Sequence, residues 1–234
     1  MYAGVGSTKT TVTPVDLRLF VQDIKLLRAD GTGEDLELEL REPWQSSHVA
    51  LLDFEDGHGS CIDGTPDTNM TITGSVPDDV YTGVSFSNSV PEDLNHLEVL
   101  QLEGPLQTFY DLSWGPVGGF HFAQIALAQV AAAPNQPYGH TLLHMGSAGC
   151  ADDAVRPGNV QCMRANRNQV VLEDFDPATQ TIVLDIAPIF AKTDMTAMAE
   201  CHSTDDACKP MFTAFGVNFG SGSATKSQTV YTVE

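Results

Sequence analysis

Histidine is the residue type in this chain best suited to binding a transition metal, because neutral imidazole is the commonest protein ligand for copper and zinc. The seven histidines are His48, His58, His96, His121, His140, His144 and His202. His144 stands where a predicted strand ends, and rigid strand ends hold ligands well. His96 follows a loop that begins at Pro91. The spacing selects no pair, and a single histidine is more often a surface or hydrogen-bonded residue than a ligand.

Cysteine offers a second kind of chemistry. The five cysteines are Cys61, Cys150, Cys162, Cys201 and Cys208. A disulfide between Cys150 and Cys162 would close a polar loop and stabilise the fold by about 3 kcal/mol in the chain-entropy estimate. Cys201 and Cys208 could close a tighter loop, which leaves Cys61 unpaired. Metal ligation by thiolates is the alternative, but no two cysteines form a CxxC pair. Two disulfides would indicate an oxidising compartment.

Carboxylates near glycine-rich turns could hold calcium, which prefers hard oxygen ligands. The candidate ligands are Asp53, Glu55, Asp63 and Asp67. The EF-hand spacing is absent, and a solvated acidic face is the alternative interpretation. The chain has 11 Lys and Arg against 31 Asp and Glu, which gives 11 − 31 = −20 as its formal net charge. Bound calcium would relieve some of the repulsion that this charge creates.

The negative charge also excludes classes of partner. With an isoelectric point near 4.4 and no lysine or arginine cluster, the surface should repel nucleic acid and anionic lipid.

The longest nearly apolar stretch, residues 120–133, is too short to cross a bilayer, so no transmembrane segment is predicted. Residues after Met1 lack the basic and apolar regions of a secretory signal. We therefore expect a signal or lipid-anchor segment to be absent from this chain.

Motifs of the common enzyme classes are missing. The chain has no Gly-x-Ser-x-Gly elbow, no Walker loop, no GxGxxG and no His-Glu-x-x-His. A glycosidase could draw its acid pair from distant strands, but nothing marks such a pair here. The sequence therefore predicts a protein that is not an enzyme.

Alternating apolar residues indicate the elements that must position these side chains. Val15, Leu17, Leu19 and Val21 alternate with mostly polar neighbours, which is typical of strands with one solvated face. A hairpin turn is predicted at residues 30–33 (Asp-Gly-Thr-Gly). Further strands are predicted at residues 36–40, 49–54, 70–73, 80–86, 120–128, 170–173, 181–186 and 229–233.

Many short strands with frequent turns predict an all-β fold, an antiparallel, Greek-key-like β-sandwich with long loops, little helix and disulfide staples. We expect a single domain over residues 1–234, with a flexible segment at 1–12. A short helix is predicted at 188–198 and a turn or two at 91–97. Loops are predicted at 56–68, 133–139, 150–168 and 220–226.

Several stretches, read in order, resemble the MbnP family, also called the metallo-mystery pair four-Cys motif proteins. They are residues 49–57 (VALLDFEDG), Ser89-Val90-Pro91 with Leu94-Asn95-His96, Trp114 with residues 118–122 (GGFHF), residues 144–150 (HMGSAGC), Cys162 with Asn166-Arg167, and Cys201 to Cys208 with Met211-Phe212. The resemblance runs nearly end to end. No single fragment is diagnostic, but an unrelated sandwich would rarely contain the ordered set and four matching cysteines.

The resemblance implies a copper site made of two histidines and kynurenine, which is formed by oxidation of a tryptophan. Only Trp44 and Trp114 are available. Trp114 matches the family tryptophan before the Gly-Gly-aromatic motif, and we take it as the first candidate, with His96 and His144 as ligands. Trp44, with His48 four residues later, is the rival cluster. The chain departs from the family at Pro116, where a second tryptophan is common, and at His121, where lysine is usual.

The implied chemistry is coherent. An indole nitrogen only donates a hydrogen bond and gives a metal no good lone pair. Kynurenine presents an aromatic amine and a carbonyl, which together with two imidazoles suit copper. The resemblance implies that the protein is the substrate of a dihaem partner enzyme, MbnH, and that it is periplasmic or surface-associated. The alternative is a calcium-stabilised adhesion or carbohydrate-binding sandwich without copper chemistry, and an enzyme acting alone ranks third.

Overall fold

One long strand organises the fold. The computed structural model describes residues 1–59, 61, 65–130, 140–155, 158–225 and 227–234. Within them, the main sheet is built around strand β2, and its members are β1 (Tyr2–Val5), β2 (Thr10–Leu27), β3 (Gly33–Asp35), β5 (Ala50–Asp53), β7 (Gly83–Ser87), β8 (His121–Gln129), β9 (His140–Gly146), β12 (Val170–Glu173) and β14 (Ala199–Cys201).

Shorter elements complete the described part of the chain. The two-stranded sheets are β4 (Glu37–Leu38) with β6 (Gly74–Ser75), β10 (Ala148–Asp152) with β11 (Val160–Arg164), and β13 (Ile182–Leu184) with β15 (Tyr231–Val233). The helices are α1 (Gly104–Thr108), α2 (Gly115–Gly118), α3 (Ala187–Phe190) and α4 (Cys208–Ala214), with 3-10 turns at Val99–Gln101 and Tyr110–Leu112. The predicted all-β class with little helix is therefore confirmed.

The main sheet curls because β2 changes partners along its length. Its first half pairs with β8, and its last residues pair with β7. The β7 pairing shifts register between Gln22 and Lys25, where Asp23 has a φ of 51°. Such irregularities increase local twist and bend a strand. The predicted turn at residues 30–33 is present and joins β2 to β3, with a φ of 82° at Gly31.

Aromatic side chains fill the core against the curled sheet. Phe20 and Phe120 are fully buried and meet edge to face, with ring centroids 5.6 Å apart. Phe190 on α3 and Phe212 on α4 are also fully buried, and these two helices pack against each other. Burying an aromatic ring removes a large apolar area from water, so these residues supply much of the hydrophobic stabilisation.

The structure differs from the sequence predictions at several places. Residues 70–73 form no strand, and most of the predicted loop at 150–168 is the antiparallel pair β10–β11, because the two segments hydrogen-bond to each other across the Cys150–Cys162 position. Strand β14 runs parallel to β9, whereas only antiparallel pairing was predicted. A connection of about fifty residues between the two strands lets the chain return in the same direction. Helix α3 covers only the start of the predicted 188–198 helix. Residues 2–5 and 10–12 are paired strand residues with Val5 and Val12 buried, in a segment expected to be flexible.

Both predicted disulfides are present. Cys150 and Cys162 face each other across the β10–β11 pair, and Cys201 and Cys208 join the end of β14 to the start of α4. Cys61 is a free, buried thiol whose Sγ lies 3.6 Å from the carbonyl oxygen of Pro14. The predicted loops at 56–68, 150–168 and 220–226 lie partly outside the described residues, and the loop at 133–139 lies wholly outside them.

Removal of the buried disulfide should destabilise the protein. Replacing Cys201 and Cys208 together with serine is expected to lower the free energy of unfolding by about 2.5 kcal/mol, because the unfolded chain regains the freedom of an eight-residue loop. Urea denaturation of the wild-type and double variant measures the change. Replacing Cys150 and Cys162, which close a longer loop, should lower the free energy of unfolding slightly more, by about 3 kcal/mol. A Cys201/Cys208 variant as stable as the wild type would contradict the prediction.

Candidate metal centre

Three histidines from neighbouring strands form a row, which we call the histidine row: His121, His144 and His202. His121 begins β8 and His144 lies on β9, and antiparallel pairing of these strands stacks the two rings with centroids 4.5 Å apart and planes 18° apart. His202 follows directly after β14, on the other side of β9, and its ring lies edge-on to that of His144 at 5.1 Å. Sheet pairing thus places three imidazoles side by side.

Trp114 lies at the His121 end of this row. Its indole ring is 4.1 Å from the ring of His121 and 6.4 Å from that of His144, measured between centroids. Two glycines make room for it, because a Cβ atom on Gly146 would lie 2.8 Å from the indole ring and one on Gly118 would lie 2.4 Å from the Cβ of Trp114. The side chain remains partly open to solvent, with 37% of the residue exposed.

A hydrogen-bond chain sets the tautomer of His121. Its Nδ1 lies 2.6 Å from the side-chain oxygen of Gln124, which can only accept, so Nδ1 donates. The Gln124 amide donates in turn to Asp16, and Asp16 is paired with Arg18. Nε2 of His121 is consequently left without a proton, and this buried atom has no hydrogen-bond partner among the described residues. Outer partners of this kind orient metal-binding histidines.

The neighbouring imidazole, His144, also has a buried nitrogen, Nδ1, without a hydrogen-bond partner in the described structure. Burial lowers the pKa of His144 to about 3 and that of His121 to about 4, since a charged imidazolium loses its hydration there. Both rings are therefore neutral at pH 7, which is the form that binds metals.

The arrangement offers two ligand atoms beside an indole that is not itself a ligand. The rings of His121 and His144 are stacked with their planes 18° apart, so the two nitrogens lie in nearly parallel planes. An unmodified Trp114 contributes no lone pair. The chemistry of the pair fits copper, for which neutral imidazole is a suitable ligand.

His96 was predicted to bind the metal together with His144, but both nitrogens of its ring make hydrogen bonds elsewhere. Its Nδ1 donates to the carbonyl oxygen of Pro116 at 2.8 Å, and its Nε2 accepts from the Asn95 amide at 2.9 Å. Nε2 is also 3.4 Å from Sγ of Cys162. The ring that stacks on His144, on the side of Trp114, is that of His121 and not that of His96. Through Pro116, His96 instead supports the turn that carries Trp114.

One further group of ligand atoms is close together. In the described ranges, His96, Cys150 and Cys162 are the only three-residue set of His, Cys, Asp or Glu whose ligand atoms lie within 4.8 Å of one another. The two sulfur atoms are joined in a disulfide and carry no thiolate charge. This set is therefore not a metal site in the oxidised protein.

The rival cluster of Trp44 and His48 has a different character. Trp44 is buried in the core, where its ring stacks on Phe109 with centroids 5.1 Å apart. His48 is exposed. Where the structure describes side chains, no ring contact joins the two residues. The geometry therefore favours Trp114 as the tryptophan beside imidazoles.

The candidate calcium ligands are only partly described. Asp53 and Glu55 are buried and adjacent, with the Glu55 backbone N–H donating to Oδ1 of Asp53 at 3.1 Å. Asp67 is exposed, and Asp63 lies outside the described residues. Calcium binding at these residues stays a prediction.

Asp53 should make stability depend on pH. Burial raises its pKa to about 7, well above its value in the unfolded chain. The folded state then holds a proton that the unfolded state has lost, so the stability that Asp53 contributes is complete below about pH 4 and is lost as pH rises through 7. Replacing Asp53 with asparagine is expected to raise the free energy of unfolding at pH 8 by about 1 to 3 kcal/mol and to leave it nearly unchanged at pH 4.

Urea denaturation at both pH values tests this expectation. The matched control is Asp67→Asn, which changes an exposed carboxylate in the same region and should leave the pH dependence as it is. Equal stabilities of wild type and Asp53→Asn at pH 8 would contradict the raised pKa.

The sequence left two members of the histidine row unassigned. In the sequence, His121 stands out only as a departure from the family pattern, and no motif assigns a role to His202. A usable signal existed for His121, since it opens a strongly apolar strand and follows the Gly-Gly pair after Trp114. No local signal marks His202, because its contact with His144 depends on the parallel pairing of β14 with β9.

Comparison with known proteins agrees with the fold and the motifs. The family model described as MbnP matches residues 1–203. The solved structure of MbnP from Methylosinus trichosporium superposes with a TM-score of 0.82 at 29% sequence identity, covering 99% of this chain and 90% of that one. No match was found among curated proteins. The described part of the chain contains no helix with the length and apolar character needed to cross a membrane.

Proposed function

Since this chain belongs to the MbnP family, we propose that it is a periplasmic or surface-associated copper-binding protein whose site is completed when Trp114 is oxidised to kynurenine by a dihaem partner enzyme. One observation carries the proposal: Trp114 contacts His121, which stacks on His144, and each of these two neutral imidazoles has a buried nitrogen without a hydrogen-bond partner among the described residues. An unpaired buried polar atom is costly unless a ligand satisfies it.

Oxidation would supply what the tryptophan lacks. Two molecules of hydrogen peroxide would accept the four electrons of this oxidation: the C2–C3 bond of the indole breaks, each of the two carbons becomes a carbonyl, and two water molecules are formed. One further water molecule then hydrolyses the formamide, which releases C2 as formate and frees the aromatic amine. The remaining side chain carries an aromatic amine and a carbonyl, both of which have lone pairs. With His121 and His144 it would form a small, nitrogen-rich site suited to copper.

Access to Trp114 is consistent with oxidation by a separate protein. The residue is 37% exposed, and Val117 in the following helix α2 is 47% exposed. The indole can therefore lose electrons to an enzyme that docks over α2. Trp44 is only 9% exposed and lies under Phe109, so it is the poorer substrate.

The proposal is tested by mass spectrometry and copper titration. The purified chain is treated with the dihaem partner and peroxide, and with peroxide alone as the control. We expect the peptide containing Trp114 to acquire the mass of formylkynurenine or kynurenine only when the enzyme is present. Copper affinity should rise after this treatment. If neither tryptophan changes mass and copper binding is the same with and without treatment, the proposal is wrong.

A further inference from the structure

We propose that His202 is the uptake ligand of the copper site, the residue that first receives copper from solution and transfers it to His144. This inference rests on the proposed function. It adds a role for a residue that is not needed to complete the site itself. The argument depends on the position of His202 in the sheet, its exposure and the charge beside it.

Strand pairing places the side chain of His202 next to that of His144. In the parallel pair of β14 and β9, Glu200 lies opposite Leu142 and Cys201 lies opposite Leu143. The next residues along the two chains are His202 and His144, and in a parallel pair such partners point to the same face. Their ring centroids are accordingly 5.1 Å apart.

The backbone around His202 is held firmly. Its N–H donates to the Asp205 carboxylate at 2.9 Å. The hydroxyl of Ser203 donates to the carbonyl oxygen of His144 and accepts from the N–H of Gly146. Ser203 has a φ of 64°, a left-handed conformation that costs energy for a residue with a side chain and is maintained by these bonds. The disulfide of Cys201 closes the same segment.

Exposure increases along the histidine row. His121 is 6% exposed, His144 is partly buried and the side chain of His202 is 42% exposed. Nitrogen atoms of all three rings do not come within 4.8 Å of one another, since the described ranges contain no such histidine group. His202 therefore contacts solvent on one side and His144 on the other, and it is not positioned to bind one ion together with both His121 and His144.

The charge beside His202 favours cations. The carboxylate of Glu200 lies 3.5 Å from Nε2 of His202 and is itself half exposed. The formal net charge of the chain is −20. A negative surface raises the local concentration of a positive ion and increases its rate of association. Glu200 and His202 together form an uptake position in front of two imidazoles that lie deeper in the protein.

The test separates the rate of copper loading from copper affinity. Cu(I) is presented as a weak chromophoric chelate, loading is followed by stopped flow, and affinity is measured by competition at equilibrium. His202→Gln is expected to load about 10-fold more slowly with affinity within about 3-fold of wild type, and Glu200→Gln about 2- to 3-fold more slowly. His58→Gln, which alters an exposed histidine outside the row, should load like wild type.

Three results would overturn the proposal. If His202→Gln takes up copper at the wild-type rate, the proposal is wrong. If His202→Gln loses as much copper affinity as His144→Gln, His202 is a permanent ligand and not an uptake ligand. His202→Asn serves as a second variant, and circular dichroism verifies that each variant is folded. A wild-type chain that binds no copper even after treatment with the dihaem partner and peroxide overturns the proposed function as well. A treated wild type that binds copper, with His202 variants that load at the same rate, overturns this inference alone.

Discussion

Replacing His144 with glutamine is expected to weaken copper binding by about 100-fold or more, because changes to the outer partners of metal ligands alone cost 10- to 100-fold. His144 is the central ring of the histidine row and contributes one of its two unpaired buried nitrogens. Glutamine has a similar polar character but offers no imidazole lone pair. Competition titration with a chromophoric Cu(I) chelator measures the change. His121→Gln should give a loss of the same order.

His96→Gln is the matched variant for this prediction. If His96 supports the turn at Pro116 and does not bind copper, its removal should reduce affinity far less than the loss of His144. An equal loss of affinity in His96→Gln would instead support the pair of ligands predicted from the sequence, His96 and His144. Unchanged copper affinity in His144→Gln and His121→Gln would contradict a site in the histidine row. Loss of tight copper binding in these variants would also exclude the alternative of a purely calcium-stabilised sandwich.

Replacing Trp114 with phenylalanine is expected to abolish the oxidation caused by the dihaem partner. Phenylalanine can fill the space between His121 and Gly146 but has no indole ring to open. Intact mass and peptide mapping after treatment with enzyme and peroxide provide the measurement. Copper affinity of the treated variant should stay at the level of the untreated wild type, because no kynurenine donor forms.

Trp44→Phe is the control variant, because it removes the other indole of the chain and leaves Trp114 in place. Its ring lies in the core against Phe109 and away from solvent, so this variant should be oxidised at Trp114 like wild type, even if its free energy of unfolding falls. Oxidation that persists in Trp114→Phe and maps to Trp44 would move the site to the rival cluster with His48. Oxidation of both tryptophans in the wild type would argue for unselective damage by peroxide.

Local patterns were sufficient for the class of fold and for the covalent links. Alternation of apolar residues around Leu17 and Leu19 identifies a strand, since side chains in a strand alternate between two faces. The turn at residues 30–33 follows from the conformational freedom of glycine. Cys150 and Cys162 are close enough along the chain for their pairing to be predicted, and so are Cys201 and Cys208. The ordered motifs led to the MbnP family, which the family model matches.

The composition of the candidate metal centre depended on the tertiary structure. The partner of His144 is decided by the register between β8 and β9, and that of His202 by the parallel return of β14. Register between strands depends on contacts among residues far apart in the chain, and a shift by one residue moves a side chain to the opposite face. From its sequence alone, this protein is an all-β, disulfide-linked member of its family with His96, His144 and Trp114 as the leading site candidates. Folding determines that His121 and His202 stand beside them and that His96 faces a disulfide, because only the folded sheet brings distant strands into a single register.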